Sequence, residues 1–376
     1  MSKVYYIVFF DTEFNSEEDR NYALCATNKM RYIADSINKL NTDVEFISCS
    51  ASKNNRHCCK KRYKINENQF VQLFFSFKAT SKILRFINRF LIKFQMKKYI
   101  RNNIKKDDTI IVYHSLAIMK LYSFFKKYTD NFIIEVEEIY SDVSNNQKLR
   151  KKELKKLSIA DKYLFATELL NDLVNTHNKK HVVCYGRYKV EKKFDKKWND
   201  NKIHCVYSGT FDPRKGGCIA AINAAKYLNQ SYFVHILGRG SDNEISTINN
   251  MINNINEEKG YKIVAYDGYK SGDEYNEYLQ KCQIGLSTQI PDGVYNDTSF
   301  PSKILSYMCN GLNVVTINIK VVNKSTINDY VNFYYEHKPE LIAAAIIDAK
   351  IYDSSEILKK IEQLDEKFIE QMKKIL

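Results

Sequence analysis

Short apolar runs alternate with amphipathic stretches along the whole chain, and they do so in two successive blocks. In the first block, Val4–Phe10, Val44–Cys49, Thr109–Tyr113, Phe132–Val136, Tyr163–Ala166 and His181–Tyr185 read as strands. Between them Tyr22–Leu40, Leu116–Tyr128, Lys148–Ser158 and Glu168–Asn175 read as helices. The stretch Arg187–Lys202 is charged, with Lys192, Lys193, Lys196 and Lys197 in one run, and reads as a linker or a solvated helix. The pattern then restarts. Strands are predicted at Ile203–Ser208, Tyr232–Leu237, Lys262–Tyr266, Ile284–Ser287 and Asn313–Ile317, and helices at Lys215–Leu228, Asp242–Ile255, Asp273–Lys281 and Ser302–Cys309. Repeated strand–helix alternation implies α/β architecture, with parallel sheets covered by helices on both faces. Two blocks in 376 residues imply two Rossmann-like domains facing a cleft. The expected boundaries are 1–190 for the first domain, 191–202 for a linker and 203–350 for the second. A C-terminal helix over 351–376 has no strand after it and is expected to pack back on the first domain.

Charge and glycine divide the chain differently. Residues 1–200 carry a net charge of +16 and residues 201–376 carry −2, within an overall +14. The first half should therefore be drawn to anionic surfaces. Of 12 glycines, 11 lie between Gly209 and Gly311, and all four prolines (Pro213, Pro291, Pro301, Pro339) lie in the second half. Close backbone approach to a phosphate needs glycine or a helix N-terminus, so a phosphate-bearing ligand is expected on the second half.

No run approaches 18 consecutive apolar residues, so no membrane-spanning helix is expected. The stretch Met1–Phe10 reads as a first strand rather than a signal peptide. The nine cysteines form no CxxC pair and fit a reducing cytoplasm. His57-Cys58-Cys59 is the one dense soft-ligand cluster, and adjacent side chains rarely close a tetrahedral site, so no metal site is expected.

Three loops after predicted strands carry the chemistry. The first, Ser208-Gly209-Thr210-Phe211-Asp212-Pro213-Arg214-Lys215-Gly216-Gly217, leads into a helix. Its glycines free the backbone, and Arg214 and Lys215 add positive charge, which suits a diphosphate. The second, Leu237-Gly238-Arg239-Gly240-Ser241, is a short G-x-G that reads equally as a tight strand–helix turn. The third runs Thr298-Ser299-Phe300-Pro301-Ser302-Lys303 into a helix that holds Ser306 and ends at Gly311. Ser299 and Ser302 are candidate N-caps, Pro301 is expected in the first turn, and Lys303 would bring a cation to an anion-receiving helix start.

Gly209-x5-Lys215-Gly216, the Gly238/Gly240 turn and Phe300-Pro301-Ser302-Lys303-x3-Tyr307-x3-Gly311 with Val314-Val315 resemble the donor domain of family 4 (group 1) GT-B glycosyltransferases. Glu135–Tyr140 and Ala160–Thr167 look like bacterial capsule and exopolysaccharide members of that group. The resemblance implies a retaining, metal-independent hexosyltransferase that takes a nucleotide-diphosphate sugar, with UDP favoured, and no other cofactor. The donor would bind the second domain through Gly209, Thr210, Arg214, Lys215, Gly216, Gly240 and Tyr266. Thr298, Ser299, Phe300, Pro301, Ser302, Lys303 and Ser306 would complete that site. In the first domain His114 would orient the donor sugar, and Glu138 or Glu137 would partner the acceptor hydroxyl. Three departures stand out. The usual Arg after the first glycine is Thr210, with Arg214 as the candidate substitute. The usual glutamates eight apart fall on Thr298 and Ser306. The Gly-rich N-terminal loop is missing.

Residues 53–106 hold 16 Lys/Arg and one acid, Glu67. Within them Ile83, Leu84, Ile87, Phe90, Leu91 and Phe94 share one helical face, whereas Phe86 and Ile92 do not fit it. Lys82, Arg85, Arg89 and Lys93 lie on the other side, with Lys97 at the margin. A basic amphipathic helix with aromatics, here Phe90 and Phe94, fits an anionic membrane surface. The alternative is a domain helix with its apolar face in the core. The resulting expectation is a cytoplasmic enzyme, peripheral on the inner face of the plasma membrane, acting on a lipid-linked or polysaccharide-repeat acceptor. Two other readings remain open: a non-catalytic GT-B-like partner protein that binds nucleotide sugar, and a basic nucleic-acid-binding protein. The second lacks any RRM, KH or zinc pattern, and no nucleic acid is expected as a partner.

Overall fold

The computed structural model describes residues 3–11, 18–22, 24–143, 146–214, 216–291 and 298–376. They form two compact units, one of residues 1–187 with Glu366–Leu376 and the other of Tyr188–Asp365.

The first unit holds eight strands: β1 (Val4–Val8), β2 (Val44–Ser48), β3 (Lys61–Asn66), β4 (Gln69–Leu73), β5 (Thr109–Tyr113), β6 (Asn131–Val136), β7 (Lys162–Phe165) and β8 (His181–Val183). Their order is β3-β4-β2-β1-β5-β6-β7-β8. Every neighbouring pair is parallel except β3 and β4. β1 and β2 are buried at every position, as a sheet covered on both faces requires. The chain leaves β1 for β2 on one side and returns to β5 on the other, so the order reverses between β1 and β5.

The β3–β4 hairpin corrects the expectation of purely parallel sheets. Only Glu67 and Asn68 join the two strands, and so short a connection forces antiparallel pairing. β3 alternates between half-buried and exposed residues, and its Lys61, Arg62 and Lys64 blunt a sheet edge that would otherwise invite pairing.

The helix Lys82–Asn103 leaves its apolar stripe exposed and turns another face inward. Its buried residues are Asn88, Ile92, Met96 and Ile100, four apart. Ile92, out of register in the sequence pattern, belongs to the core, whereas Ile83, Phe86, Ile87, Phe90 and Phe94 are exposed. Asn88 is buried without penalty because its amide donates to Phe77 O and accepts from Phe77 N, each at 2.7 Å. The apolar stripe is thus set opposite the core face, and the reading of an ordinary helix with that stripe packed inside does not hold.

The second unit holds β9 (Ile203–Thr210), β10 (Tyr232–Arg239), β11 (Val264–Tyr266), β12 (Ile284–Ser287), β13 (Asn313–Ile317) and β14 (Val331–Tyr334). They form one parallel sheet in the order β11-β10-β9-β12-β13-β14, which reverses between β9 and β12. The segment before β9 is neither helical nor free. Phe194 N donates to Gln280 Oε1 at 2.9 Å. The Trp198 ring stacks on His204 and His235 at 5.0 and 4.9 Å. The last helix, Ser354–Ile375, is shared by the two units. In the first of them Phe368 stacks on Tyr32 at 5.4 Å, and Asn131 Nδ2 donates to Ile375 O and Leu376 O at 3.1 and 2.9 Å.

Candidate functional site

In open parallel sheets ligands bind outside the carboxyl ends of the strands, where the strand order reverses. In the second unit that point lies between β9 and β12. β9 ends in Ser208-Gly209-Thr210, and two helix starts flank it. The helix Gly217–Ala224 follows Gly216, which takes the left-handed conformation (φ +62°) that a side chain would strain. The helix Ser302–Met308 follows Pro301 at its N-cap. Neither start has a side-chain cap, so their first N–H groups lack the usual hydroxyl partner. This corrects the expectation that Ser299 or Ser302 caps the second helix. Pro301 occupies the cap and offers no acceptor side chain, and Ser302 is already the first helical residue.

Lys303 is therefore the second helical residue. Its ammonium lies 3.7 Å from the centroid of the Tyr207 ring, a cation–π contact. It also sits against Gly209, where an added Cβ would come within 2.7 Å of Nζ. The absence of a side chain at Gly209 is thus what admits the lysine. Burial pushes the nearby Cys218 thiol up to about 12, while the Lys303 charge pulls the other way. Gly209 and Lys303 thus meet at the end of β9.

Ser306 holds a position where the resemblance expects a glutamate. Its hydroxyl lies 3.2 Å from Tyr275 OH, which in turn lies 2.9 Å from Ser208 Oγ. Burial raises the Tyr275 pKa, so the relay Ser208–Tyr275–Ser306 is neutral and each hydroxyl can both donate and accept. Tyr307 locks the floor below. Its hydroxyl accepts from Ser208 N at 2.9 Å and donates to Leu286 O at 3.3 Å. Thr298 and Phe300 are buried, Ser299 and Pro301 are half-buried, and Ser302 is exposed.

The remaining donor candidates lie along the β9 and β10 loops. Thr210, Arg214 and Gly240 line a hollow of about 860 Å³ together with Phe211, Arg239 and Glu244. Arg214 forks onto Asp212, Nε to Oδ1 at 3.0 Å and Nη2 to Oδ2 at 2.8 Å, so its charge is met within its own loop. The helix after Gly240 is already capped: Ser241 Oγ accepts from Glu244 N, and Glu244 Oε2 accepts from Ser241 N at 2.7 Å. A Cβ on Gly240 would meet Glu244 Oε2 at 2.9 Å and Phe211 at 3.0 Å, so this glycine serves close packing in the turn. Tyr266 donates to Gly238 O at 3.1 Å and sets its ring edge-on to Phe211. Lys215 lies outside the described residues.

The two catalytic candidates belong to the first unit. His114 follows β5 and is buried, with Nδ1 2.6 Å from Tyr122 OH and Nε2 2.8 Å from Glu153 Oε1. Both ring nitrogens are engaged, so the ring offers neither to a ligand. Burial opposes ionisation of Glu153, but bonds from His114 and Ser141 hold its carboxyl below the usual range. Glu138 lies past the end of β6, half-buried, and burial followed by the charges of Glu137 and Glu153 raises its pKa. Glu135, on β6 itself, is fully buried and accepts from Tyr6 OH, and burial with Glu137 pushes it up to about 8. Lys29 pairs with Glu137 at 2.5 Å and donates to Cys184 O at 2.7 Å.

Sequence reasoning missed Tyr207, Tyr275, Glu135 and Lys29. Tyr207 and Glu135 carry a signal, since each is a polar-tipped residue near the carboxyl end of an apolar strand. Tyr275 and Lys29 sit on amphipathic helices, where nothing in the pattern separates them from solvated neighbours.

Two parallel-sheet units of this kind in one chain make the GT-B fold, and solved structures match it over essentially their whole length. The trehalose-6-phosphate protein from E. coli bound with UDP-2-fluoro glucose superimposes with a TM-score of 0.67 at 11% identity, covering 98% of this chain and 96% of its own. A trehalose-6-phosphate synthase solved in work on enzymatic glycosyltransfer with retention gives 0.66 at 12% identity, with both chains covered completely. An alpha,alpha-trehalose-phosphate synthase (UDP-forming) from Burkholderia vietnamiensis gives 0.64 at 8%, covering 100% of this chain and 99% of its own. No family model and no curated protein matches the chain.

Proposed function

We propose that this protein is a retaining glycosyltransferase. It moves a hexose from a nucleotide-diphosphate sugar, with UDP the favoured nucleotide, to a lipid-linked or polysaccharide-repeat acceptor in surface polysaccharide synthesis. The observation that carries the reading is Lys303, whose ammonium is brought over Gly209 at the strand-order reversal, between two helix starts without side-chain caps. Positive charge and oriented N–H groups at that place suit the diphosphate of a donor. Support comes from the shared fold, since one structural neighbour holds a UDP-sugar analogue and another was studied for transfer with retention.

The chemistry follows from that placement. The bond between the anomeric carbon and the diphosphate oxygen breaks, and Lys303 with the helix-start amides neutralises the charge that grows on the leaving oxygen. The acceptor oxygen bonds to the anomeric carbon on the same face. Its proton passes to the leaving phosphate, so no side-chain base is needed. No metal is assigned a role. The hydroxyls of Ser306 and Tyr275 meet the nucleotide's ribose where the resemblance has a carboxylate. The exposed apolar stripe of the Lys82 helix, flanked by cations, docks the first unit on an anionic cytoplasmic membrane surface.

Incubation of the protein with UDP-glucose, UDP-galactose and UDP-N-acetylglucosamine, with and without EDTA, tests this. Release of UDP with an α-configured sugar product by NMR is expected, unchanged by EDTA. Binding of UDP without turnover of any donor, with a membrane fraction as acceptor source, would instead indicate a non-catalytic GT-B-like protein. The neutral pair Thr298 and Ser306 in place of two carboxylates favours that second reading.

A further inference from the structure

We propose that the first unit has its own anion site, which binds a phosphate or diphosphate group carried by the acceptor. It is a cavity of about 840 Å³ at the carboxyl ends of β1, β2 and β5. The strand order reverses there, the same topological position that holds Lys303 in the second unit. Calling the bound molecule an acceptor rests on the function proposed above. The anion site stands on the cavity's own chemistry.

Five cations line the cavity, Lys53, Arg85, Arg89, Lys93 and Lys120, and among the described residues no carboxylate does. Lys53 is paired with Asp19 at 2.8 Å, and Arg85 Nε donates to Ala79 O at 3.0 Å. Arg89, Lys93 and Lys120 have no acidic partner among the described residues. They approach one another from two elements, the first two from the Lys82 helix and Lys120 from the segment after β5. Like charges held together without a counter-ion cost free energy that an anion would recover. Lys93 registers this: burial first, then Lys120, Arg89 and Lys97, hold its ammonium below the usual lysine range. The floor is apolar, with Phe9, Ile92 and Met96 among its residues, so the ligand carries a less polar body behind its charged group. A fork of arginine with lysine point charges is the donor set that phosphate oxygens favour. The sequence pattern placed Arg85, Arg89 and Lys93 on a membrane-facing surface, but the fold turns this flank of the helix toward the cavity. The exposed Phe90 and Phe94 occupy a separate stripe of the same helix.

The test is calorimetric titration of the full chain, in the presence of UDP, with inorganic diphosphate, glucose 1-phosphate and farnesyl diphosphate. One-to-one binding of at least one probe is expected, weakened about tenfold or more by Lys93→Glu and by Lys120→Glu. The same charge change at Lys98 or Lys105, which do not line the cavity, is expected to cost less than about threefold. Lys303→Ala should leave this binding intact, which separates the site from the donor site. If the donor reading fails, UDP will not bind while the phosphate probes still do. Tighter binding of farnesyl diphosphate assigns the group to a lipid carrier, and tighter binding of glucose 1-phosphate assigns it to a soluble sugar phosphate. Absence of binding by all three probes, or equal losses in the Lys98 and Lys105 variants, would overturn the proposal. Lys120 is exposed, so Lys120→Glu keeps the test valid should Lys93→Glu fail to fold.

Discussion

Gly209 and Gly238 are neighbours across β9 and β10, and their substitutions should fail differently. A Cβ on Gly209 would meet Lys303 Nζ at 2.7 Å, the far end of a flexible side chain that can swing away. Gly209→Ala is expected to fold with a nearly unchanged melting temperature and lose donor turnover on the order of 100-fold, the cost of misplacing one charge-stabilising donor. A Cβ on Gly238 would lie 1.8 Å from the Gly209 carbonyl oxygen, at φ +147°, and backbone cannot swing away. Gly238→Ala should lower the melting temperature itself, by several degrees for a loss of about 1–3 kcal/mol. Thermal melts beside turnover assays separate the two outcomes. Glu135 gives a pH prediction. Its folded pKa lies above the ordinary carboxylate value, so the native state holds a proton that the unfolded chain releases. Stability from this group is complete below about pH 4.5 and declines as pH rises toward 8. Glu135→Gln should flatten that decline in urea melts taken at pH 5 and pH 8.5, and an unchanged slope would contradict the assignment. Of these residues the sequence announced the glycines and Lys303, because loops rich in Gly, Pro and cations after apolar strands stand out. Glu135 shows in the sequence only as a polar residue near the end of an apolar strand, and its full burial depends on strands distant in sequence.

At the scale of elements, the parallel strands were legible because both-face burial writes continuous apolar runs. β5, β12 and β13 begin and end where the pattern puts them. The β3–β4 hairpin was not legible. Its alternation is carried by Lys, Arg and Tyr rather than by apolar residues, and the basic composition hides it. The segment around Trp198 was legible only in part. Its lysines look solvated, and its anchor is one tryptophan against His204 and His235. The helix Lys82–Asn103 was read two ways, with its apolar stripe on a membrane surface or in the core, and the fold leaves that stripe exposed. It carries more apolar residues than one core face needs, and periodicity alone cannot say which stripe the fold covers. Phe90 and Phe94 are 61% and 68% exposed, so their loss should cost little stability. A phenylalanine moved from water into an apolar environment contributes about 1.5–3 kcal/mol. Phe90→Ser with Phe94→Ser should therefore weaken binding to phosphatidylglycerol vesicles by about tenfold or more, with the melting temperature unchanged. Equal vesicle binding by the double variant would remove the stripe from the membrane contact.

Over the whole molecule, two parallel-sheet units divide the charge. The first is strongly basic, and the second is nearly neutral with most of the glycine. The division fits a chain that meets an anionic acceptor and membrane with one unit and a nucleotide-sugar with the other. The second unit concentrates its site on one lysine, two helix starts without side-chain caps and a neutral hydroxyl relay. On the proposed function, Lys303 holds the diphosphate of a nucleotide donor. The most direct measurement is thermal unfolding of the wild type and of Lys303→Ala with UDP, GDP, ADP and dTDP, each with magnesium and with EDTA. A ligand present at about 100 times its dissociation constant adds about 2.7 kcal/mol, a shift of several degrees. Such a shift is expected for UDP in the wild type, unchanged by EDTA and largely lost in Lys303→Ala. No shift with any nucleotide, or a UDP shift that survives in full without the lysine, would contradict it.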